Sequence, residues 1–201
     1  MHMNRKIYTL FENLSTRNQL FIGCLITLFG WLMAYLLDIR YVGTFKVAPL
    51  QSGTPFYVPL VDNLLIVLWT SVSLFLMGLF INKRTRLIDM LNVVLISRAP
   101  FYLVCLFNIN GFMFKQSDLM LKQLTAEGPA LETFSIWPIL LMSAVQLLLA
   151  VITFWLLFAG FHTASNGRGA KLIILFVVGI VIGMIGLGFF LPWFYSHVTL
   201  L

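Results

Sequence analysis

Charge is scarce in this chain. Of 201 residues only 10% are Asp, Glu, Lys or Arg, against roughly a quarter in ordinary globular proteins. Beside a hydrophobic content of 60%, that scarcity excludes a soluble domain, which has too little interior to hide so much apolar surface. Lipid is the solvent that fits. Cysteine is also scarce: Cys24 and Cys105 are the two present, each inside an apolar run, with no CxxC or Cys/His cluster to suggest a zinc site or redox pair. His2, His162 and His197 fall at separate places and imply no metal site. There is no HExxH, no GxSxG and no P-loop. No pair of carboxylates lies within an apolar run to support acid–base or proton-relay chemistry. The chain therefore reads as non-enzymatic, with no cofactor.

The net charge of +6 would suit nucleic acid if the basic residues formed a stripe interleaved with aromatics. They sit instead at the ends of apolar runs, where they suit anionic headgroups and set topology. The expected partner is the lipid bilayer, with a membrane-protein partner or a second copy beside it, and no nucleic acid.

What is present is five apolar stretches, each near the 20 or so residues that a helix needs to cross hydrocarbon. They run over about 20–37, 60–81, 88–114, 136–161 and 172–195. They predict an all-α fold, a single membrane domain over 1–201 with five transmembrane helices, in a multi-pass protein of the cell membrane. The first nineteen residues are of mixed polarity and no small-residue cleavage site follows the first run, so that helix is expected to be retained. The third stretch is interrupted by Asn92, Arg98, Pro100, Asn108 and Asn110, and a kinked or re-entrant path is expected there. Residues 38–59 carry Gly43, Pro49, Gly53, Pro55 and Pro59, which argues against continuous helix. Ser117 is a plausible N-cap for a short amphipathic helix over SDLMLKQL.

Lys and Arg set the expected orientation. Arg5, Lys6, Arg17, Lys83, Arg84, Arg86, Arg168 and Lys171 fall on one side; Arg40, Lys46, Lys115 and Lys122 fall on the other, with Asp38, Asp62, Asp118, Glu127 and Glu132. The bias predicts a cytoplasmic N-terminus and an extracytoplasmic C-terminus. Trp31, Trp137, Trp193 and Tyr195 suit an interfacial belt, whereas Trp69 and Trp155 read as packing residues.

Arg98 is the most informative single residue. It lies about 16 Å along a helix from the 82–87 turn at 1.5 Å per residue, near the predicted midplane. A charge at that depth must face protein or water, and Pro100 opens a polar notch beside it by removing a backbone donor. One reading is an intramembrane polar site, for an anion, a headgroup or gating, made of Arg98, Pro100, Asn108 and Gln146. The other is a structural charge satisfied by carbonyls and neighbours such as Gln146, Ser143 or Asn108. At the 82–89 turn, Thr85 is the expected N-cap and Asp89 suits the first helical turn and can pair with Arg86. Lys83, Arg84, Arg86 and Asp89 form a candidate cytoplasmic docking turn. Asn108, Asn110 and Gly111 mark either the end of the third helix or a polar pocket. Gly179 and Gly183 form a GxxxG that Gly186 extends, a close-packing face for the bundle interior or a homodimer seam. Gly23, Thr27 and Gly30 offer a similar face on the first helix.

The segment INKRTRLIDMLNVVLISRAPFYL, residues 81–103, resembles bacterial members of the Yip family, the Ypt/Rab-interacting membrane proteins. The matching positions are Lys83, Thr85, Arg86, Ile88, Asp89, Arg98 and Pro100, at the start of the third of five helices. The Leu-Tyr-Gly-Pro signature of eukaryotic members is absent. The resemblance implies a membrane-organising or trafficking-related protein and no enzyme. Two functions follow as expectations: a membrane protein that binds membrane partners or organises the bilayer, or a small transporter or channel component with a polar path at Arg98.

Overall fold

A computed structural model describes residues 11, 14–50, 53–124 and 136–197, with the side chains of 121–124 left aside. Arg5, Lys6, Glu127 and Glu132, counted in the charge bias, lie outside the described residues, as does the side chain of Lys122. The fold is all-helical around one small hairpin, and it contains five helices long and apolar enough to cross a membrane. In chain order these are α1 (Thr16–Leu36), the hairpin β1 (Ile39–Gly43) and β2 (Lys46–Pro49), α2 (Val58–Ile81), a broken third segment, α6 (Trp137–Ser165) and α7 (Gly169–His197). The third segment divides into α3 (Leu87–Ser97), the single turn α4 (Ala99–Tyr102), a 3-10 stretch (Leu103–Gly111) and α5 (Phe112–Leu124).

Local chemistry explains the helix ends. Ser15 accepts from the Asn18 amide at 3.3 Å and caps α1. Proline stands in the first turn of α2 and of α6, where no intrahelical donor is lost. Asn166, at φ 50°, ends α6 in the left-handed conformation that asparagine tolerates. The kink anticipated in the third segment is present: α3 ends at Arg98, two residues before Pro100. Two expectations are corrected. Thr85 does not cap α3; its hydroxyl donates backwards to the carbonyls of Asn82 (2.8 Å) and Gly78 (3.3 Å), closing the turn against the end of α2. Ser117 is not an N-cap either, because the helix already begins at Phe112, after Asn110 (φ 58°) and Gly111 (φ 69°) turn the chain.

Small residues let the helices approach. A Cβ on Gly186 would lie 2.5 Å from the Trp69 ring nitrogen, and Gly179 faces Met77 and Leu74 across the same α2–α7 seam. The Ser73 hydroxyl donates to the Gly179 carbonyl at 2.5 Å. The α1 glycines face the third segment instead, Gly23 against Leu95 and Gly30 against the Tyr102 ring. The 82–86 turn, the Gly167 turn and the start of α1 share one end of the bundle: Gly167 meets Ile81, and Asn92 donates to the Thr16 carbonyl at 3.1 Å. At the opposite end Asn108 donates to the carbonyl of Leu37 (2.6 Å) and accepts from the Met113 amide (2.9 Å).

The feature that the proline and glycine content did not reveal is the hairpin's path. Instead of lying over the bundle end it enters it. Arg40 meets Asp62, near the start of α2, whereas the hairpin tip Thr44 meets Thr70, hydroxyl to hydroxyl at 3.3 Å. Thr70 lies about 18 Å along α2 from Val58 at 1.5 Å per residue, halfway down the 24-residue helix. Strand alternation sorts the side chains: Ile39 and Tyr41 are fully buried in the core, and Arg40 and Val42 face the other way.

The glycine contacts give a paired prediction. Gly186→Ala should destabilise the purified protein by about 1–3 kcal/mol, because a well-packed ring must move. Gly188→Ala, two residues on and so on the opposite helical face, with nothing within 4 Å, should be neutral or slightly stabilising. Thermal melts of the two variants in detergent measure the contrast; equal melts would show that Trp69 yields freely.

Candidate functional site

The centre of the site is Arg98, the largest fully buried side chain, at 0% exposure. Its position at the α3–α4 break projects the guanidinium beneath the hairpin tip. Nη1 donates to the Thr44 carbonyl at 3.2 Å and Nε to the Tyr102 hydroxyl at 3.3 Å. The guanidinium carbon lies 5.5 Å from the centre of the Tyr41 ring and 5.4 Å from that of Tyr102. The two rings meet edge to face, 5.4 Å apart. Nη2 has no hydrogen-bond partner, and among the described residues Arg98 has no ion pair.

A buried charge is expensive without compensation. Here the compensation is two charge-assisted hydrogen bonds, each worth about 1.5–3 kcal/mol, and two cation–π contacts of about 0.5–2 kcal/mol each. The acceptors are themselves held. Tyr102 donates to Asn63 Oδ1 at 3.0 Å, and Asn63 Nδ2 reaches the Thr27 carbonyl at 3.5 Å. Tyr41 reaches the Gly30 carbonyl at 3.2 Å and Cys105 Sγ at 3.0 Å. One polar network thus joins α1, the hairpin, α2 and the third segment around a single cation. Buried polar atoms without partners also occur at Ser97 Oγ and Asn92 Oδ1 of α3 and at Thr153 Oγ1 of α6.

The expected membership of the site changes. Pro100 sets the break that presents Arg98, but Gln146, Ser143 and Asn108 are not among its partners. Gln146 is half-buried on α6. Asn108 belongs to the bundle end, where it ties the 3-10 stretch to the end of α1. The residues that sequence reasoning missed are Thr44, Tyr41, Tyr102 and Asn63. Of these, Tyr102 carried a signal, since it lies four residues after Arg98 and so on the same helical face. Thr44 carried none, because it acts through its backbone.

A second charged cluster fastens the root of the hairpin. Arg40 donates to Asp62 through Nε (2.8 Å) and Nη2 (3.0 Å), and Tyr195 of α7 donates to the same carboxylate at 2.5 Å. The Arg40 guanidinium also stacks over the Tyr195 ring at 5.0 Å. Asp62 is wholly buried while the Arg40 side chain is 30% exposed. Between this cluster and the tip, an open cavity of about 500 Å3 separates the hairpin from α7.

At the other end, Lys83, Arg84 and Arg86 are exposed on the turn. Asp89 stands in the first turn of α3 and lines a smaller cavity of about 290 Å3 with Thr16, Gln19 and Thr163. Gly179, Gly183 and Gly186 all face α2. Comparison with protein-family models, with curated proteins and with solved structures finds no match.

The asymmetry of the root cluster is testable. Arg40→Gln strands a buried carboxylate, whereas Asp62→Asn leaves a cation that can turn to water. Arg40→Gln should therefore cost more stability, by about 1–2 kcal/mol, since stranding a buried charge is the larger penalty. Thermal melts at neutral pH rank the two; the reverse order would mean that Tyr195 alone satisfies Asp62.

Proposed function

We propose that this chain is a multi-pass protein of the cell membrane that acts without catalysis, by binding membrane partners or organising the bilayer around it. The N-terminus and the 82–86 turn are cytoplasmic in this reading and the C-terminus is extracytoplasmic, as the distribution of Lys and Arg supports. The closure of the polar centre carries the functional part. Tyr41, Tyr102 and the hairpin tip fill the space around Arg98, which has no exposed surface. A scaffold uses such a charge to lock its spans together; a permeation path needs it wet. The resemblance of residues 81–103 to bacterial Yip proteins supports the same reading. Lys83, Arg84 and Arg86, exposed beside Asp89, supply the docking face. Residues 137–152 of α6, none of them buried, supply apolar contact with lipid.

One observation favours the alternative, a small transporter or channel component. Val42 and Lys46, on either side of the tip that seals Arg98, line the open cavity, so withdrawal of the tip toward it would wet the guanidinium.

Thiol access separates the two. In a Cys24→Ser, Cys105→Ser background, Arg98→Cys and the milder Ser97→Cys should resist a membrane-impermeant maleimide from both sides, with folding checked by melting. Lys83→Cys should label from the cytoplasm only. Labelling at 97 or 98 in folded protein would move the assignment to transport. Labelling of position 83 from outside would reverse the orientation.

A further inference from the structure

The cavity between the hairpin and α7 has two unlike walls. Val42, Val58, Leu187 and Leu191 make it apolar, and Arg40 and Lys46 make it basic. Its volume of about 500 Å3 falls in the range of small-ligand sites, roughly 300–1,000 Å3. The two cations differ. Asp62 takes Nε and Nη2 of Arg40 and leaves Nη1 outside the pair. Lys46 has no ion pair among the described residues. It is exposed and pairs in register with Gly43, next to the tip. Arg98 lies beneath the same tip, also without a carboxylate. The cavity wall thus carries one cation paired with a carboxylate and one that is not. The wall also offers an acceptor: Pro192 has no N–H to give the Gly188 carbonyl, and both residues line the cavity.

We propose that this cavity binds a phosphate group, and that the headgroup of an anionic lipid supplies it. Lys46 and the free edge of Arg40 take the phosphate oxygens, the Gly188 carbonyl accepts from a headgroup hydroxyl, and the apolar wall takes the adjoining hydrocarbon. A free phosphate ion has no use for that wall, which is why lipid is the favoured source. The proposal rests on the membrane placement above but not on the cytoplasmic docking turn.

The test uses the full-length protein, delipidated in neutral detergent and loaded with phosphatidylglycerol or phosphatidylcholine, with retained lipid counted by native mass spectrometry. Wild type should retain phosphatidylglycerol about fivefold better, the worth of one partly screened ion pair. Lys46→Gln should erase that preference with an unchanged melt, and Lys46→Arg should restore it. Lys115→Gln, an exposed cation near the same end of the bundle, should behave as wild type. Displacement of phosphatidylglycerol by millimolar inorganic phosphate, with phosphate alone raising the melt, would keep the anion site but make the free ion its occupant. Equal retention of the two lipids, or an unaltered preference in Lys46→Gln, would overturn the proposal and leave Lys46 as a side chain reaching for water. Carbonate extraction of native membranes scores the membrane placement separately. A protein that stays in the pellet yet lacks lipid preference loses the site alone.

Discussion

The hydrogen bond from Arg98 to the Thr44 carbonyl is the constraint around which the rest of the structure is arranged. A guanidinium in an apolar bundle needs acceptors that do not themselves cost much to bury. A second charge would bring its own desolvation penalty, and a helix withholds its carbonyls for its own ladder. A hairpin tip has carbonyls to spare. Inserting one into a helical bundle is allowed only where protein surrounds the non-helical backbone or a cavity hydrates it. This hairpin meets both conditions: Ile39, Tyr41 and Thr44 are buried on one side, and Arg40, Val42 and Lys46 face the cavity on the other. The glycine at position 30 follows from the same demand. A side chain there would strike the Tyr102 ring, which has to lie against α1 to hold both Arg98 and Asn63.

Root and tip are secured by different physics. The root is an ion pair, Arg40 with Asp62, reinforced by Tyr195 from the last helix. The tip is a cation held by neutral groups. Because Asp62 and Asn63 are neighbours in α2, one turn of one helix serves both attachments. Asp62 receives the root, and Asn63 receives the tyrosine that supports Arg98. The hairpin is therefore fixed at two levels by the first turns of α2 and the break in the third segment. A change in the angle between those elements would reach root and tip together.

The sequence was legible where a single residue type in a single run carries the physics. Five apolar stretches marked five helices, with ends that moved by a few residues as caps and prolines decided them. Arg98 stood out because a charge inside an apolar run demands an explanation. The identity of its partners was not legible, since a backbone carbonyl leaves no trace in residue type and Tyr41 and Asn63 lie far away in the chain. Residues 38–59 were read through Pro and Gly, which say only that helix is disfavoured. The alternation of Ile39 and Tyr41 against Arg40 and Val42, with Gly43 before the turn, was the available hairpin signal. Even so, a hairpin signal says nothing about depth. Depth follows from Arg98, whose unmet hydrogen-bonding capacity draws the tip inward.

The two sides of the hairpin also bear on each other. Lys46 and Arg98 attach to one tip, the first on its cavity side and the second on its sealed side, and both are cations without carboxylate partners among the described residues. Lys46 is exposed and Arg98 is wholly buried, so the backbone of the tip stands between the two charges. An anion held by Arg40 of β1 and Lys46 of β2 would tie the two strands together, and the tip would sit more firmly over Arg98. An empty cavity leaves only the hydrogen bonds and the tyrosine rings to hold it. Occupancy of the open side and closure of the sealed side are thus linked through a few residues of backbone. By linkage, whatever stabilises the closed tip must also favour the anion.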